Sequence, residues 1–226
     1  MKSILEQFLY EIISSIQVDK KTKNKIIEHY TKLYTKFGDN PASIGWPKGK
    51  QNIRFSTISQ LGNLNNSSVL DVGCGFGDFS SFLKLNNINL KKYLGVDINK
   101  EFIDIAKIKN PDATFKVLDI EKDTLPKFDW SVAIGITNKS GSYRYIEKLL
   151  KRMLDISKKG VAMDFLSTYV DYKTKGTFHT SPEHIFKIAK KLSKRVAIRH
   201  DYLPFEFCVY LYKQDQIDKD LSFKYF

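Results

Sequence analysis

The stretch Ser68-Val69-Leu70-Asp71-Val72-Gly73-Cys74-Gly75-Phe76-Gly77-Asp78 joins a short apolar run to a helix-like pattern through three glycines. Such a turn brings bare backbone close to a ligand at the carboxyl end of a buried strand, because glycine carries no side chain to block the approach. Gly73 and Gly75 allow that contact, Gly77 opens the helix, and Cys74 between them reads as a small packing residue beside the ligand. About 20 residues further on, Leu94-Gly95-Val96-Asp97-Ile98-Asn99 ends a second apolar run in a carboxylate. Asp97 can accept both hydroxyls of a ribose, Ile98 can pack on a base, and Asn99 can cap the next helix. Together the two elements predict a nucleotide-like cofactor. The dinucleotide fingerprint G-x-G-x-x-G would set its last glycine at position 78, where Asp78 stands.

A second group of residues could hold whatever reacts with that cofactor. Tyr30, Tyr34, Trp46 and Arg54 precede the glycine turn. Tyr30 and Tyr34 share a helical face with Leu33, so a core role competes with substrate contact. Arg54 suits a carboxylate or another anion, or is a plain surface charge. Tyr169, Asp171 and Tyr172 follow a later apolar run, and His179 lies beyond them before the Ser181-Pro182-Glu183 helix start. His179 is the only histidine on a candidate acceptor loop and is expected to serve as base or acceptor ligand, with Tyr169 and Tyr172 beside it. His200 reads as a core residue, and His29 and His184 as helix-surface residues. No cluster has metal-ligand spacing, so no metal is expected.

The elements that must position these groups follow from periodicity. Helical spacing of apolar residues appears over 3–17, over 22–37 with Gly38 as a stop, and in a short helix carrying Ile53, Phe55, Ile58 and Leu61. From Ser68 onward strands are expected near 68–73, 92–97, 113–118, 129–135, 160–167, 195–201 and 205–213, with helices near 77–86, 100–109, 142–157 and 182–193. Helix-length segments separate the first five strands, which means parallel pairing with both faces covered. The last two strands are separated only by Tyr202-Leu203-Pro204, too few for a parallel crossover, so they must be antiparallel. The fold class is therefore α/β: a Rossmann-like three-layer sandwich around a seven-stranded, mostly parallel sheet. The expected division is a helical lid over 1–62 and a core over 63–226, one domain overall.

With 226 residues, 42% of them hydrophobic and 27% charged, the chain has the composition of one globular core. No apolar run approaches the roughly 20 residues of a membrane helix, Glu6 and Glu11 interrupt the apolar N-terminus, and Cys74 and Cys208 make no disulfide framework, so a cytoplasmic protein is expected. The net charge of +12 rests on 37 basic residues, of which only five are Arg. Lysines spread along the whole chain read as a solvated surface, not a nucleic-acid footprint, and they would also favour an anionic small substrate.

At this point the chain resembles a class I S-adenosylmethionine-dependent methyltransferase over roughly residues 20–213, within a group of small bacterial methyltransferases. The resemblance rests on Asp71 to Asp78, on Phe37-Gly38-Asp39 to Trp46, on Gln51 and Arg54-Phe55, on Phe165 to Tyr172 and on Arg199-His200-Asp201-Tyr202. It implies S-adenosylmethionine as cofactor, with Asp71 and the G-x-G-x-G turn as the first motif. It also implies that Asp119 and the Ile120 amide face the adenine edge, and that the strand ending at Gly135 lies by the methionine end. Asn138 in Gly135-Ile136-Thr137-Asn138 fits the group and is expected on the acceptor side. His179, in Thr177-Phe178-His179-Thr180, stands where the group suggests an aromatic residue. The implied activity is methylation of a small-molecule acceptor, at oxygen, with a sugar or phosphorylated intermediate of surface polysaccharide as the implied class.

Rival readings stay open at this stage. A nucleic-acid methyltransferase is favoured by the charge but lacks the Asn/Asp-Pro-Pro-aromatic motif after the fourth strand, where Gly135-Ile136-Thr137-Asn138 stands. A non-catalytic cofactor-binding protein would show the same cofactor elements.

Overall fold

The computed structural model of the chain describes residues 20–46, 49–139, 141–171, 173 and 176–213. The helical pattern over 3–17 lies outside them. A helix, α1 (Lys20–Phe37), leads into a short 3-10 turn over Pro41–Ile44 and then α2 (Gln51–Ser59). Gly38, at φ 66°, ends α1 as expected. The alternating part follows: β1 (Ser68–Val72), α3 (Asp78–Leu85), β2 (Lys92–Asp97), α4 (Lys100–Lys109), β3 (Thr114–Val117) and β4 (Phe128–Ala133). It closes with α5 (Tyr143–Ile156), β5 (Ser157–Leu166), α6 (Pro182–Leu192), β6 (Arg195–Leu203) and β7 (Glu206–Tyr212).

The strands form one seven-stranded sheet in the order β3-β2-β1-β4-β5-β7-β6. β1 to β5 pair in parallel, and β7 is antiparallel to both β5 and β6. Side-chain alternation explains the three layers. Leu70, Val72, Leu94 and Val96 point to the face covered by Leu150 and Met153 of α5 and Ile188 of α6. Val69, Tyr93, Ala162 and Tyr210 point to the other, against Phe55 and Ile58 of α2, Phe79 of α3 and Ile103 of α4. Leu61 and Trp130 join this second cluster, so packing runs continuously across residue 62, where the sequence suggested that a lid ends.

Two boundaries differ from the sequence reading for local reasons. β5 begins at Ser157, directly after α5, because the Ser157 hydroxyl is bonded to both the Met153 carbonyl and the Ser131 hydroxyl at 2.7 Å. A side chain that satisfies the last helical turn lets the chain enter the sheet without a loop. The closing hairpin is also tighter than expected, with Leu203 paired to Glu206 across Pro204-Phe205.

Helix starts follow capping chemistry. Asn99, Ser142 and Ser181 cap α4, α5 and α6 by accepting the amides of Glu101, Tyr145 and His184. The first cap fixes the chain immediately after Asp97, and the third fixes it just after His179.

Candidate functional site

One cavity opens at the carboxyl ends of β1, β2 and β4, where a doubly wound sheet binds its ligand. Its floor is the turn after β1. Gly73, Gly75 and Gly77 have φ of 72°, 54° and 76°, a left-handed region that side chains other than glycine avoid. The Gly73 and Cys74 amides both donate to the Val96 carbonyl, at 2.8 and 3.1 Å, which ties the turn to β2. A Cβ at Gly73 would meet Ile136 at 2.3 Å, whereas one at Gly75 would find nothing nearer than Ile44 at 3.7 Å. Gly73 therefore serves close packing, and Gly75 presents bare backbone to the cavity.

Asp97 stands at the tip of β2 on the cavity wall. Its Oδ2 accepts the Gly75 amide at 3.1 Å and its Oδ1 accepts the Asn99 amide at 2.9 Å. Each oxygen keeps a lone pair beyond those bonds. Burial pushes the Asp97 carboxyl above its ordinary range. Ile98, Asp119, Ile120 and Gly135 line the same cavity, as do Cys74 and Tyr30. Burial, with the Asp97 charge adding to it, pushes the Tyr30 hydroxyl up to about 12. Burial raises the Cys74 thiol, which keeps it neutral and unreactive.

Asp71 reaches the cavity wall, with one of its carboxyl oxygens held by Tyr93. Tyr93 donates its hydroxyl to Oδ2 at 2.6 Å, and burial, with Asp97 and Asp78 nearby, raises the carboxyl to about 7. Asp71 thus sits as a support beneath the turn instead of presenting a free carboxylate to a ligand.

The roof is α1 with the following turn. Ile26, Ile27 and Tyr30 face the cavity. Lys23 closes over its rim, paired with Asp119 at 2.6 Å and with Glu121. Tyr34, expected near substrate, packs on Phe76 and Phe102 at ring separations of 5.7 and 6.5 Å and lies outside the cavity wall. Trp46 does line it, pressed against Gly135 so closely that a Cβ there would meet the indole at 2.3 Å.

Behind Trp46 lies a buried ionic cluster. The Arg54 guanidinium stacks on the Trp46 ring at 3.7 Å, gives Nε and one Nη to Glu206, and sits 3.9 Å from Asp164. Asp164 accepts the Gly135 amide at 2.6 Å, and burial raises its carboxyl to about 7, with the Glu206 charge adding to the rise. Arg54 is therefore not the open anion receptor that the sequence suggested: two of its nitrogens are committed within the protein, because β7 delivers Glu206 to it. Only Nη1 lacks a partner.

His179 and Asn138 lie beyond the cavity wall. The His179 Nδ1 sits 2.8 Å from the Ser167 carbonyl, and its Nε2 is buried with no partner. The Asn138 Oδ1 is also buried without a partner, and its carbonyl accepts the Phe178 amide at 2.8 Å. Tyr169 points away, 60% exposed and bonded to Glu183. An exposed hydroxyl held by a surface carboxylate does not face the cavity, so the structure takes Tyr169 out of the site. Tyr172 lies outside the described residues. No group of three or more His, Cys, Asp or Glu that could hold a metal occurs among the described residues.

Sequence reasoning missed Lys23 and Tyr145, which line the cavity, and Asp164 and Glu206 behind Trp46. Lys23 is one of several lysines in a row, and nothing local distinguishes it. Asp164 sits inside the apolar strand β5, where an acidic residue was itself the available signal, and Glu206 opens β7.

A family model described as a methyltransferase domain matches residues 69–160. The chain is 29% identical over 99 residues to a putative methyltransferase of Invertebrate iridescent virus 6, covering 42% of this chain and 37% of that protein. It is 28% identical over 159 residues to a putative methyltransferase of Mycobacterium tuberculosis, covering 65% of this chain and 93% of that protein. Among solved structures, magnesium protoporphyrin IX methyltransferase of Synechocystis with bound S-adenosylmethionine superposes with a TM-score of 0.64 at 15% identity, covering 88% of this chain and 100% of that one. That last likeness is one of fold.

Proposed function

We propose that this chain, which carries a class I S-adenosylmethionine-dependent methyltransferase domain, transfers the cofactor's methyl group to a small-molecule acceptor, and to oxygen. The observation that carries the reading is the joint between Asp97 and Gly75. A carboxylate at the tip of β2 is tied at 3.1 Å to bare backbone at the turn after β1, and both face one cavity. The residues present fit the cofactor. Gly75 leaves open space where a side chain would intrude, Asp97 keeps lone pairs for the ribose hydroxyls, and Ile98 and Ile120 supply apolar surface for the base. When bound, the sulfonium supplies an electrophilic methyl group, and the carbon–sulfur electron pair leaves with sulfur.

The chain's own residues then have four tasks in this reading. Asp97 orients the ribose. Asp119 and the Ile120 amide mark the adenine edge, with Lys23 neutralising Asp119 until the base arrives. Gly75 leaves room for the cofactor's backbone-facing side, while Gly73 and Gly135 let Ile136 and Trp46 close in around it. Tyr30 and Trp46 exclude water from the roof, which matters because a displacement at carbon gains most from fixed orientation of the reacting atoms.

Calorimetric titration with S-adenosylhomocysteine tests the reading. Asp97→Ala is expected to weaken binding by about 1–3 kcal/mol, the cost of losing hydrogen bonds to a charged group. Unchanged affinity would leave Asp97 as a helix-start residue and remove the assignment. Binding of NAD in place of S-adenosylhomocysteine would do the same.

A further inference from the structure

We infer, on the methyltransferase reading above, that Gln51 and the start of α2 hold the carboxylate at the amino-acid end of the cofactor. Gln51 lies on the cavity wall and is 9% exposed. Its side-chain amide makes no hydrogen bond to a described residue, and neither amide atom is shut off from solvent as Arg54 Nη1 is. An amide held at the wall with both N–H donors uncommitted can give them to a ligand without breaking a bond inside the protein. The helix behind it favours the same ligand. Gln51 is the first residue of α2, whose start has no side-chain cap and no acidic residue in its first turn. Its leading N–H groups carry partial positive charge, which attracts an anion. Gln51 and Phe55, about one turn apart, both line the cavity, so this end of the helix faces it.

The neighbours of Gln51 place it at the Gly135 end of the cavity. Arg54, on the same turn of α2, stacks on Trp46, and Trp46 presses on Gly135. Phe55 packs on Phe79 of α3 at a ring separation of 5.5 Å, just beyond the glycine turn. The sheet order β3-β2-β1-β4 then sets the direction of the ligand. Asp119 and Ile120 follow β3, Asp97 ends β2, the glycine turn follows β1, and Gly135 follows β4. A cofactor with its base at Asp119 and its ribose on Asp97 runs across these strand ends, so its amino-acid end arrives beside Gly135 and Gln51.

Among the described residues, no cation of the wall is free to meet that carboxylate. Lys23 is the only basic residue lining the cavity, and Asp119 and Glu121 both hold it. Arg54 lies behind Trp46 with Nε and one Nη given to Glu206. The other ionisable groups near the glycine turn are acids, Asp71, Asp78 and Asp97. Ionised, they suit the ammonium and sulfonium of the cofactor and repel its carboxylate. A neutral amide at a helix start meets the need differently. It supplies N–H donors to the anion without placing a further charge in a largely buried wall.

The test is calorimetric titration, at fixed pH and salt, with S-adenosylhomocysteine, with its decarboxylated form, and with methylthioadenosine, which lacks the amino-acid end. The parent protein should hold S-adenosylhomocysteine about tenfold tighter than the decarboxylated form. Gln51→Leu should lose that margin. Gln51→Glu sets a carboxylate against a carboxylate, so it should weaken S-adenosylhomocysteine at least as far and leave the decarboxylated form no weaker. Both variants should keep methylthioadenosine within about twofold of the parent. An acidic residue in the first turn of a helix is favourable, so Gln51→Glu should melt no lower than the parent, which separates lost recognition from a lost fold. A parent protein indifferent to the carboxylate, equal weakening of every ligand, or S-adenosylhomocysteine affinity unchanged in both variants would each overturn the inference. A parent protein that binds neither S-adenosylhomocysteine nor methylthioadenosine removes the methyltransferase reading itself, whereas normal binding that ignores Gln51→Glu removes only this inference.

Discussion

Arg54→Met is expected to lower unfolding stability by about 3–5 kcal/mol, the range for breaking a buried ion pair from one side. Arg54 is 4% exposed, Asp164 2% and the Glu206 side chain 12%, so Asp164 recovers none of its hydration and Glu206 little once the guanidinium is gone. The Trp46 ring would also lose the cation stacked on it at 3.7 Å. Urea unfolding followed by two probes measures the loss by linear extrapolation. A loss below about 1 kcal/mol, the range of a surface ion pair, would show that the cluster is solvated. The double variant Arg54→Met with Glu206→Leu should recover part of the stability, since it removes one stranded carboxylate and leaves Asp164, whose carboxyl burial already holds towards its protonated form. The cluster also reaches the site. Asp164 holds the Gly135 amide, and Gly135 bears on Trp46, so the single variant should weaken S-adenosylhomocysteine as well as the fold.

The reason this cluster was invisible while the glycine turn was not is physical. The turn is a local object: three glycines, an apolar run before them and a helical pattern after them lie within Ser68–Asp78, and each residue's conformational need is met by its neighbours. Asp97 was legible for the same reason, since a carboxylate at a strand tip before an Asn cap is a local pattern. Arg54 and Glu206 are 152 positions apart and meet only because β7 returns antiparallel between β5 and β6. Nothing in the sequence near Arg54 distinguishes a residue awaiting an anion from one already paired. Lys23 and Asp119, 96 positions apart, repeat the lesson at the roof. Strand existence and direction were legible from spacing alone, and the misplaced start of β5 came from one serine whose hydroxyl caps the helix before it. On the acceptor side the sequence could name Tyr169, but not see that its hydroxyl would be taken by Glu183 on the outer surface.

Asp71→Asn is expected to stabilise the protein at pH 8 by about 2–4 kcal/mol and to change little at pH 4. The folded carboxyl sits near 7 against an ordinary value of 3.8, so the folded state holds its proton to higher pH than the unfolded chain does. Between those values the folded state binds more protons, and stability must fall as pH rises; above about 7 both states are ionised and the loss is complete. Asn cannot ionise, yet its oxygen can still accept the Tyr93 hydroxyl, so the variant escapes the loss without giving up the bond. Asp164, raised to about 7 as well, tilts both proteins in the same direction, and the difference between their stability curves isolates Asp71. Thermal or urea unfolding from pH 4 to pH 8 provides those curves, and parallel curves would show that the Asp71 carboxyl is not desolvated. The same variant decides what Asp71 does for the site. A support beneath the turn can be neutral, so S-adenosylhomocysteine affinity should stay within a few-fold of the parent; a loss of tenfold or more, about 1.4 kcal/mol, would mean that the Asp71 charge itself meets the ligand.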